Sequence, residues 1–318
     1  MPSYNKQVIS KQAQELGFIR DTFEKMLRLA EMLRFMSNDP LLSSSLALKG
    51  GTAINLTIFN LPRLSVDIDL DYVHNNSRDD MLKERGLITA VVSRYLASEG
   101  YELGGKSKTT HSLDSFVCNY TNSGGVKDAI KIEVNYSLRC HVLLTVSRRI
   151  ETLGVFSETN IMAVAPIEIF ASKITALLSR TAARDLYDIN NMVLFGLFSE
   201  ADLPILRKCA LFYFTISGDE VPEDINVGRI YGLTNHMIRI DLQPVLRKKE
   251  RFNLQAAQKR VDEYLTGLFA ITESEREYLN SFRKGVYNPG LLFEDTDIHE
   301  RIRNHPMALW KTRNNEKR

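Results

Sequence analysis

Apolar residues at Leu16, Ile19, Phe23, Met26, Ala30 and Leu33 recur in steps of three and four, which lays one stripe along a helix. That helix is expected to end before Asp39-Pro40, because proline disfavours helical geometry in the residue preceding it. Leu46-Ala47-Leu48-Lys49 then runs into Gly50-Gly51-Thr52, and residues 53–59 read as a short helix closed by Asn60-Leu61-Pro62. From Ser65 to Val73 acids and aliphatic residues alternate at period two, as in a strand with one polar and one buried face. Residues 79–99 follow as a helix, with Leu82, Leu87, Val91, Tyr95 and Leu96 as its expected core face. Two β-prone runs, 115–120 and 129–136, flank Asn122-Ser123-Gly124-Gly125, a hairpin signal.

Beyond about residue 150 the pattern turns helical. Pro166 suits a first helical turn, with Ile167, Phe170, Ile174 and Leu177 on one face. Further helices are expected near 185–196, 199–214, 253–268 and 273–284. The chain therefore reads as an α+β protein, with a mixed domain over 1–150 and a helical domain over 151–318.

Composition narrows the classes. The 318 residues include 44% hydrophobic and 25% charged positions, enough to fill a core and to exclude disorder for most of the chain. The formal net charge is +2, so any nucleic-acid surface must be a local patch. Three scattered cysteines, Cys118, Cys140 and Cys209, form neither a disulfide framework nor a zinc module. They fit a reducing compartment. No long apolar run or leader-like start is present, so the expectation is a soluble, cytoplasmic protein without membrane contact. None of the six histidines falls at metal-ligand spacing with another histidine or cysteine, and no P-loop, Ser-His-Asp pattern or DNA-specific motif occurs.

The densest chemistry lies between Lys49 and Asp71. Two glycines before a helix let backbone amides approach a phosphate, aided by the positive end of the helix, and Thr52 adds a hydroxyl. Asp67 and Asp69 point to one strand face with Cα atoms about 6.5 Å apart, close enough to share metal ions about 3.5–4 Å apart. Asp71 lies about 13 Å from Asp67 and is expected to be a supporting or surface acid. On the strand 131–135, Glu133 offers a third carboxylate, with Ile132 and Val134 on the opposite face. Each feature alone also fits an ordinary turn or a solvated strand face.

The string Lys49-Gly50-Gly51-Thr52-Ala53-Ile54-Asn55-Leu56, followed by Arg63-Leu64-Ser65-Val66-Asp67-Ile68-Asp69-Leu70, resembles the signature of the AbiEii/AbiGii-type nucleotidyltransferase toxins of the DNA polymerase β-like superfamily. Lys173, Arg180, Arg184, Asp185 and Asp188 are similar to the family's downstream pattern, and His305-Pro306-Met307-Ala308-Leu309-Trp310-Lys311 to its ending. The resemblance implies a polymerase β-like nucleotidyltransferase core on a mixed sheet, followed by a mainly helical C-terminal domain that completes the active site and contacts the acceptor. It implies transfer of a nucleotide from a nucleoside triphosphate, with a tRNA 3′ end as acceptor, and neutralisation by a cognate antitoxin. In that reading Gly50, Gly51 and Thr52 hold the triphosphate, with Lys49, Arg180 and Arg184 also toward the nucleotide. Asp67 and Asp69 bind Mg2+ in a two-metal site, and Lys173 and Asp188 are catalytic. Many superfamily members carry an aspartate as third carboxylate where this chain has Glu133, which leaves that ligand open.

On one continuous helix Lys173 and Asp188 would stand about 22 Å apart along the axis. If both serve one mononucleotide, the chain must break between about Arg180 and Asp185, with Asp185 as an N-terminal cap. For the acceptor, Arg247, Lys248, Lys249, Arg251, Lys259 and Arg260 form one basic cluster, and Arg301, Arg303, Lys311, Arg313, Lys317 and Arg318 another. Such clusters suit a phosphate backbone and equally suit solvated faces. Phe252, Phe282, Tyr287 and Trp310 are candidate stacking rings or core residues. Modification of a protein hydroxyl and a non-catalytic binding role remain as alternatives.

Overall fold

The computed structural model describes residues 4–151, 159–218 and 221–315. Two compact units emerge from the contact pattern. One comprises 1–139, 145–164 and 243–250, the other 140–144, 165–242 and 251–318. The division does not follow a single cut near residue 150.

Among the described residues the first unit is built on an eight-stranded mixed sheet: β1 (Leu46–Lys49), β2 (Asp67–Tyr72), β3 (Glu102–Leu103), β4 (Lys108–Thr109), β5 (Leu113–Thr121), β6 (Lys127–Asn135), β7 (Val146–Arg149) and β8 (Asn160–Ala163). Their order is β3-β5-β6-β2-β1-β8-β7, with β4 also on β5. β2 lies centrally, antiparallel to β1 and parallel to β6. The last strand, β8, lies past residue 150 in sequence, and it joins the sheet parallel to β1.

The helices of this unit are α1 (Lys6–Leu16), α2 (Arg20–Asn38), α3 (Pro40–Ser45), α4 (Gly50–Ala53) and α5 (Arg78–Ser98). The first apolar stripe is thus divided. Gly17 takes a left-handed φ of 80° and closes α1, and Ile19 is the exposed residue preceding α2. A stripe continues through a helix break where turn geometry overrides period. Asp39 ends α2 as expected, its carboxylate accepting the amides of Leu41 and Leu42 at 3.0 Å to start α3. Helix α4 begins at Gly50, earlier than expected, and continues through a π turn, Ile54–Ile58.

On α5 the core face sits one residue from its expected position. Met81, Arg85, Ile88, Val92 and Leu96 are buried, whereas Leu82 and Leu87 are exposed. The cause is Arg85, which turns inward to bond Asp114 of β5 through Nε at 3.1 Å and Nη2 at 2.5 Å, with the carbonyls of Thr110 and His111 also accepting. A buried ion pair fixes the rotation that aliphatic spacing left ambiguous.

The second unit holds α6 (Pro166–Arg180), α7 (Ala183–Leu194), α8 (Leu203–Ser217), α9 (Asn235–Met237), α10 (Leu254–Leu268), α11 (Glu273–Arg283), α12 (Thr296–Ile302) and α13 (Pro306–Asn315). Buried Glu168 on α6 accepts the amides of Val142 and Leu143 at 2.9 Å and the Tyr213 hydroxyl at 2.7 Å, with His141 Nδ1 at 3.2 Å. These bonds assign the short stretch 140–144 to the helical unit. Burial acts to raise the Glu168 pKa, but His141 and these donors hold it below the usual carboxylate value.

Replacing Arg85 with Met strands the Asp114 carboxylate in the interior, so urea denaturation is expected to show a loss of about 3–5 kcal/mol. The double variant Arg85→Met/Asp114→Leu should recover most of that loss. Equal loss in single and double variants would contradict the ion-pair account.

Candidate active site

Strand β2 carries its three aspartates on one face, opposite Ile68, Leu70 and Tyr72, which are buried. The face is not uniform. Asp67 and Asp69 are half-buried, while Asp71 is 1% exposed and binds the Lys49 ammonium at 2.5 Å. Asp71 is therefore an interior acid, and Lys49, expected at the nucleotide, has its ammonium on that carboxylate.

The glycine pair meets this face directly. Gly50 has a φ of 67°, and a Cβ built there would stand 2.7 Å from Asp69 Oδ2. Both the left-handed backbone and the absence of a side chain are needed. At Gly51 a Cβ would stand 2.7 Å from Nη2 of Arg63, itself buried and donating through Nη1 to the Leu64 carbonyl at 3.0 Å. The buried Thr52 hydroxyl donates to the Asp67 carbonyl and lies 2.7 Å from the Ser65 hydroxyl. Thr52 thus ties α4 to the start of β2.

Parallel pairing sets Asp67 opposite Lys131 and Asp69 opposite Glu133. Lys131 and Glu133 form an ion pair of 3.1 Å and are both partly exposed. Burial acts to lower the Lys131 pKa, but Glu133, with Asp67 and Asp69 adding, leaves it above the ordinary lysine value. Among the described residues no group of three or more His, Cys, Asp or Glu is gathered closely enough to hold a metal ion. The donor set nevertheless fits a hard cation: two oxygen ligands on one face, with the remaining positions open to phosphate and water, is the usual way Mg2+ is held.

In the helical unit the expected break is present. Helix α6 ends at Arg180, Thr181 is left-handed, and α7 begins at Ala183. Lys173 Nζ lies 2.8 Å from Asp185 Oδ1 and 3.3 Å from Asp188 Oδ2, all three residues being buried. Asp185 sits in the first turn of α7, after the capping position, and Arg180 grips it with Nε at 2.8 Å and Nη2 at 3.0 Å. Burial acts to raise the Asp185 pKa, yet Lys173 and Arg180 hold it below the usual value. Arg184 Nε donates to the Asp241 carbonyl at 2.7 Å.

The basic clusters are partly structural. Arg247 donates to the Leu16 carbonyl at 2.5 Å and covers the Phe18 ring, Arg260 donates to Asn190, and Arg301 to the Val142 carbonyl. Lys248, Lys249, Arg251 and Lys259 are exposed, as are Arg303 and Arg313. Lys317 and Arg318 lie outside the described residues. Phe282 is core, Phe252 packs beside Tyr187, and the Tyr287 hydroxyl donates to the Ile302 carbonyl. Trp310 is exposed, and His305 is buried edge-on against Phe212.

Two site residues were not singled out by sequence reasoning. Lys131 carried a signal, standing two residues from Glu133 and therefore on its face. Arg63, in a loop after Pro62, stands at the head of the string that resembles the family signature but had no role of its own assigned.

A glycine turn packed on an Asp-x-Asp strand, at the centre of a mixed sheet, is the arrangement of a nucleotidyltransferase. The comparisons with known proteins agree: the model of the AbiEii nucleotidyl transferase toxin family, of type IV toxin–antitoxin systems, matches residues 34–282, and the chain belongs to that family. Among solved structures it is similar in fold to MenT4, a nucleotidyltransferase toxin from Mycobacterium tuberculosis H37Rv, with a TM-score of 0.66 and 18% identity over 96% of this chain and 98% of that one. No curated protein sequence matches. Among the described residues no helix is long and apolar enough to cross a membrane.

Gly50→Ala should cost about 1–3 kcal/mol from the left-handed backbone alone, measured by thermal or urea unfolding, and should displace Asp69. An unchanged midpoint would rule out the close approach. Because the Asp185 pKa is depressed on folding, its stabilisation is present above about pH 3.9, the unfolded value, and is lost as pH falls through the folded value. Asp185→Asn is therefore expected to lower the melting temperature at pH 7, with the gap from the unsubstituted protein closing below about pH 4. A gap independent of pH would refute it.

Proposed function

We propose that the chain transfers a nucleoside monophosphate from a nucleoside triphosphate to an acceptor hydroxyl, releasing pyrophosphate, and that the acceptor is a tRNA 3′ end. The observation that carries the reading is the half-buried Asp67–Asp69 pair with Gly50 packed on Asp69. Asp67 and Asp69 would hold divalent cations, Mg2+ in this proposal, with Glu133 as the third carboxylate. Such ions, when bound, favour the attacking alkoxide and stabilise the leaving oxygens in an in-line displacement.

The chain's own groups supply the rest. The turn at Gly50 and Gly51 exposes backbone to a triphosphate without side-chain obstruction, and Thr52 keeps that turn fixed to β2. A Glu133 oxygen is the proposed acceptor for the hydroxyl proton, which requires its release from Lys131. In the helical unit Lys173, with Asp188 and Asp185 around it, is proposed to balance phosphate charge. Arg180 and Arg184 are proposed to face the nucleotide, in keeping with the family resemblance.

Membership of a type IV toxin–antitoxin family supports a cognate antitoxin as partner. The exposed Lys248, Lys249 and Arg251 support a phosphate-backbone contact. Three buried thiols support a reducing, cytoplasmic setting.

Incubation with Mg2+, each labelled nucleoside triphosphate in turn, and either total tRNA or total protein tests the proposal. Label is expected at the RNA 3′ end. Asp67→Ala and Asp69→Ala should each reduce transfer about a thousandfold while circular dichroism stays unchanged. Label on protein would replace the acceptor, and full activity of Asp69→Ala with saturating metal would remove the assigned site.

A further inference from the structure

The face that carries Asp67, Asp69 and Glu133 also carries Lys131, in register with Asp67 and ion-paired with Glu133 at 3.1 Å. Lys49 is on Asp71, and β5 contributes Ser115, Val117 and Asn119, none of them ionisable. Glu133, meanwhile, is not gathered with the two aspartates into a metal-holding group.

We infer that Lys131 is a resident counter-cation of the carboxylate face, and that it competes with a divalent metal ion for Glu133 and the aspartates and so sets the affinity of this face for metal. The inference rests on the proposed metal role of Asp67 and Asp69. An ammonium paired with Glu133 and in register with Asp67 does two things. It offsets part of the negative charge of the face without metal, and it repels an incoming dication. On this account the Lys131–Glu133 pair would have to open for Glu133 to take a metal, the ammonium being released on its flexible stem into water or onto a phosphate oxygen of the substrate. Lys131 is therefore a positioning residue, acting through Glu133. The partial exposure of both side chains gives the ammonium room to leave.

The test is Mn2+ binding to the full-length protein without nucleotide, followed by calorimetry or by the loss of the free-ion electron paramagnetic resonance signal. Lys131→Met keeps the length of the stem and removes the charge, and Lys131→Arg keeps the charge. Lys131→Met is expected to bind Mn2+ roughly five- to tenfold more tightly at low salt, with the gain shrinking as ionic strength rises. Lys131→Arg is expected to bind as the unsubstituted protein does. A purely structural role would not produce a gain in affinity that follows charge and salt.

Asp67→Asn/Asp69→Asn separates the two layers of the argument. Loss of Mn2+ binding in this variant, with tighter binding in Lys131→Met, supports both. Loss in the double variant with unchanged or weaker binding in Lys131→Met overturns the counter-cation and leaves the metal role of the aspartates standing. Undiminished binding in the double variant overturns the metal role and the inference with it.

Discussion

Contact between Gly50 and Asp69 is the constraint on which the first unit's chemistry depends. Because the chain can leave β1 in a left-handed conformation and turn at once into α4, the glycine turn packs directly on the strand of acids. The polar groups around it then take separate tasks. Thr52 and Ser65 fasten the turn to the start of β2, and Lys49 settles on Asp71. Three aspartates that alternate identically in sequence thereby come to differ: one is neutralised in the interior, and two stay accessible at the end of the strand where the turn lies. A larger residue at position 50 would disturb all of these at once, since the turn has no other way to approach β2.

Both units also commit charge to their interiors. Arg85 with Asp114, Arg28 with Glu24, Glu168 with His141, and Lys173 with Asp185 and Asp188 are all buried pairings. Such pairs give little net stability against an apolar replacement, because desolvation offsets attraction. They do restrict geometry. Arg85 sets the rotation of α5, Glu168 captures a short connecting stretch, and Lys173 fixes the corner at which α6 gives way to α7. At that corner one ammonium and one guanidinium share two carboxylates, which keeps the first turn of α7 folded back on α6.

Much of this was legible in the amino-acid sequence, for identifiable reasons. The Asp-x-Asp alternation, the hairpin around Asn122-Ser123-Gly124-Gly125 and the break after Arg180 rest on local chemistry or on a length constraint, and each is present. What escaped reading depends on partners distant in sequence. The rotation of α5 is decided by an aspartate 29 residues away, and the division of the first stripe by left-handed Gly17, which periodicity does not register. Asp185 was expected to bond backbone amides; its actual partners are side chains on the preceding helix. The pairing of Glu133 with Lys131 follows from strand period, yet the register of β6 against β2, which brings Asp67 alongside Lys131, is not written in either strand alone.

The chain passes from one unit to the other at 139/140, 144/145, 164/165, 242/243 and 250/251, five junctions in all. Of the stretches so defined, 140–144 and 243–250 are short, yet each is bonded into its unit: the first by Glu168, the second through the Val245 carbonyl, which accepts from Leu64, and Lys248, which donates to Gly17. Neither unit is therefore a cassette that could be excised, swapped or expressed as one contiguous piece. Recombination within this architecture has no single cut in the sequence that would separate the two units.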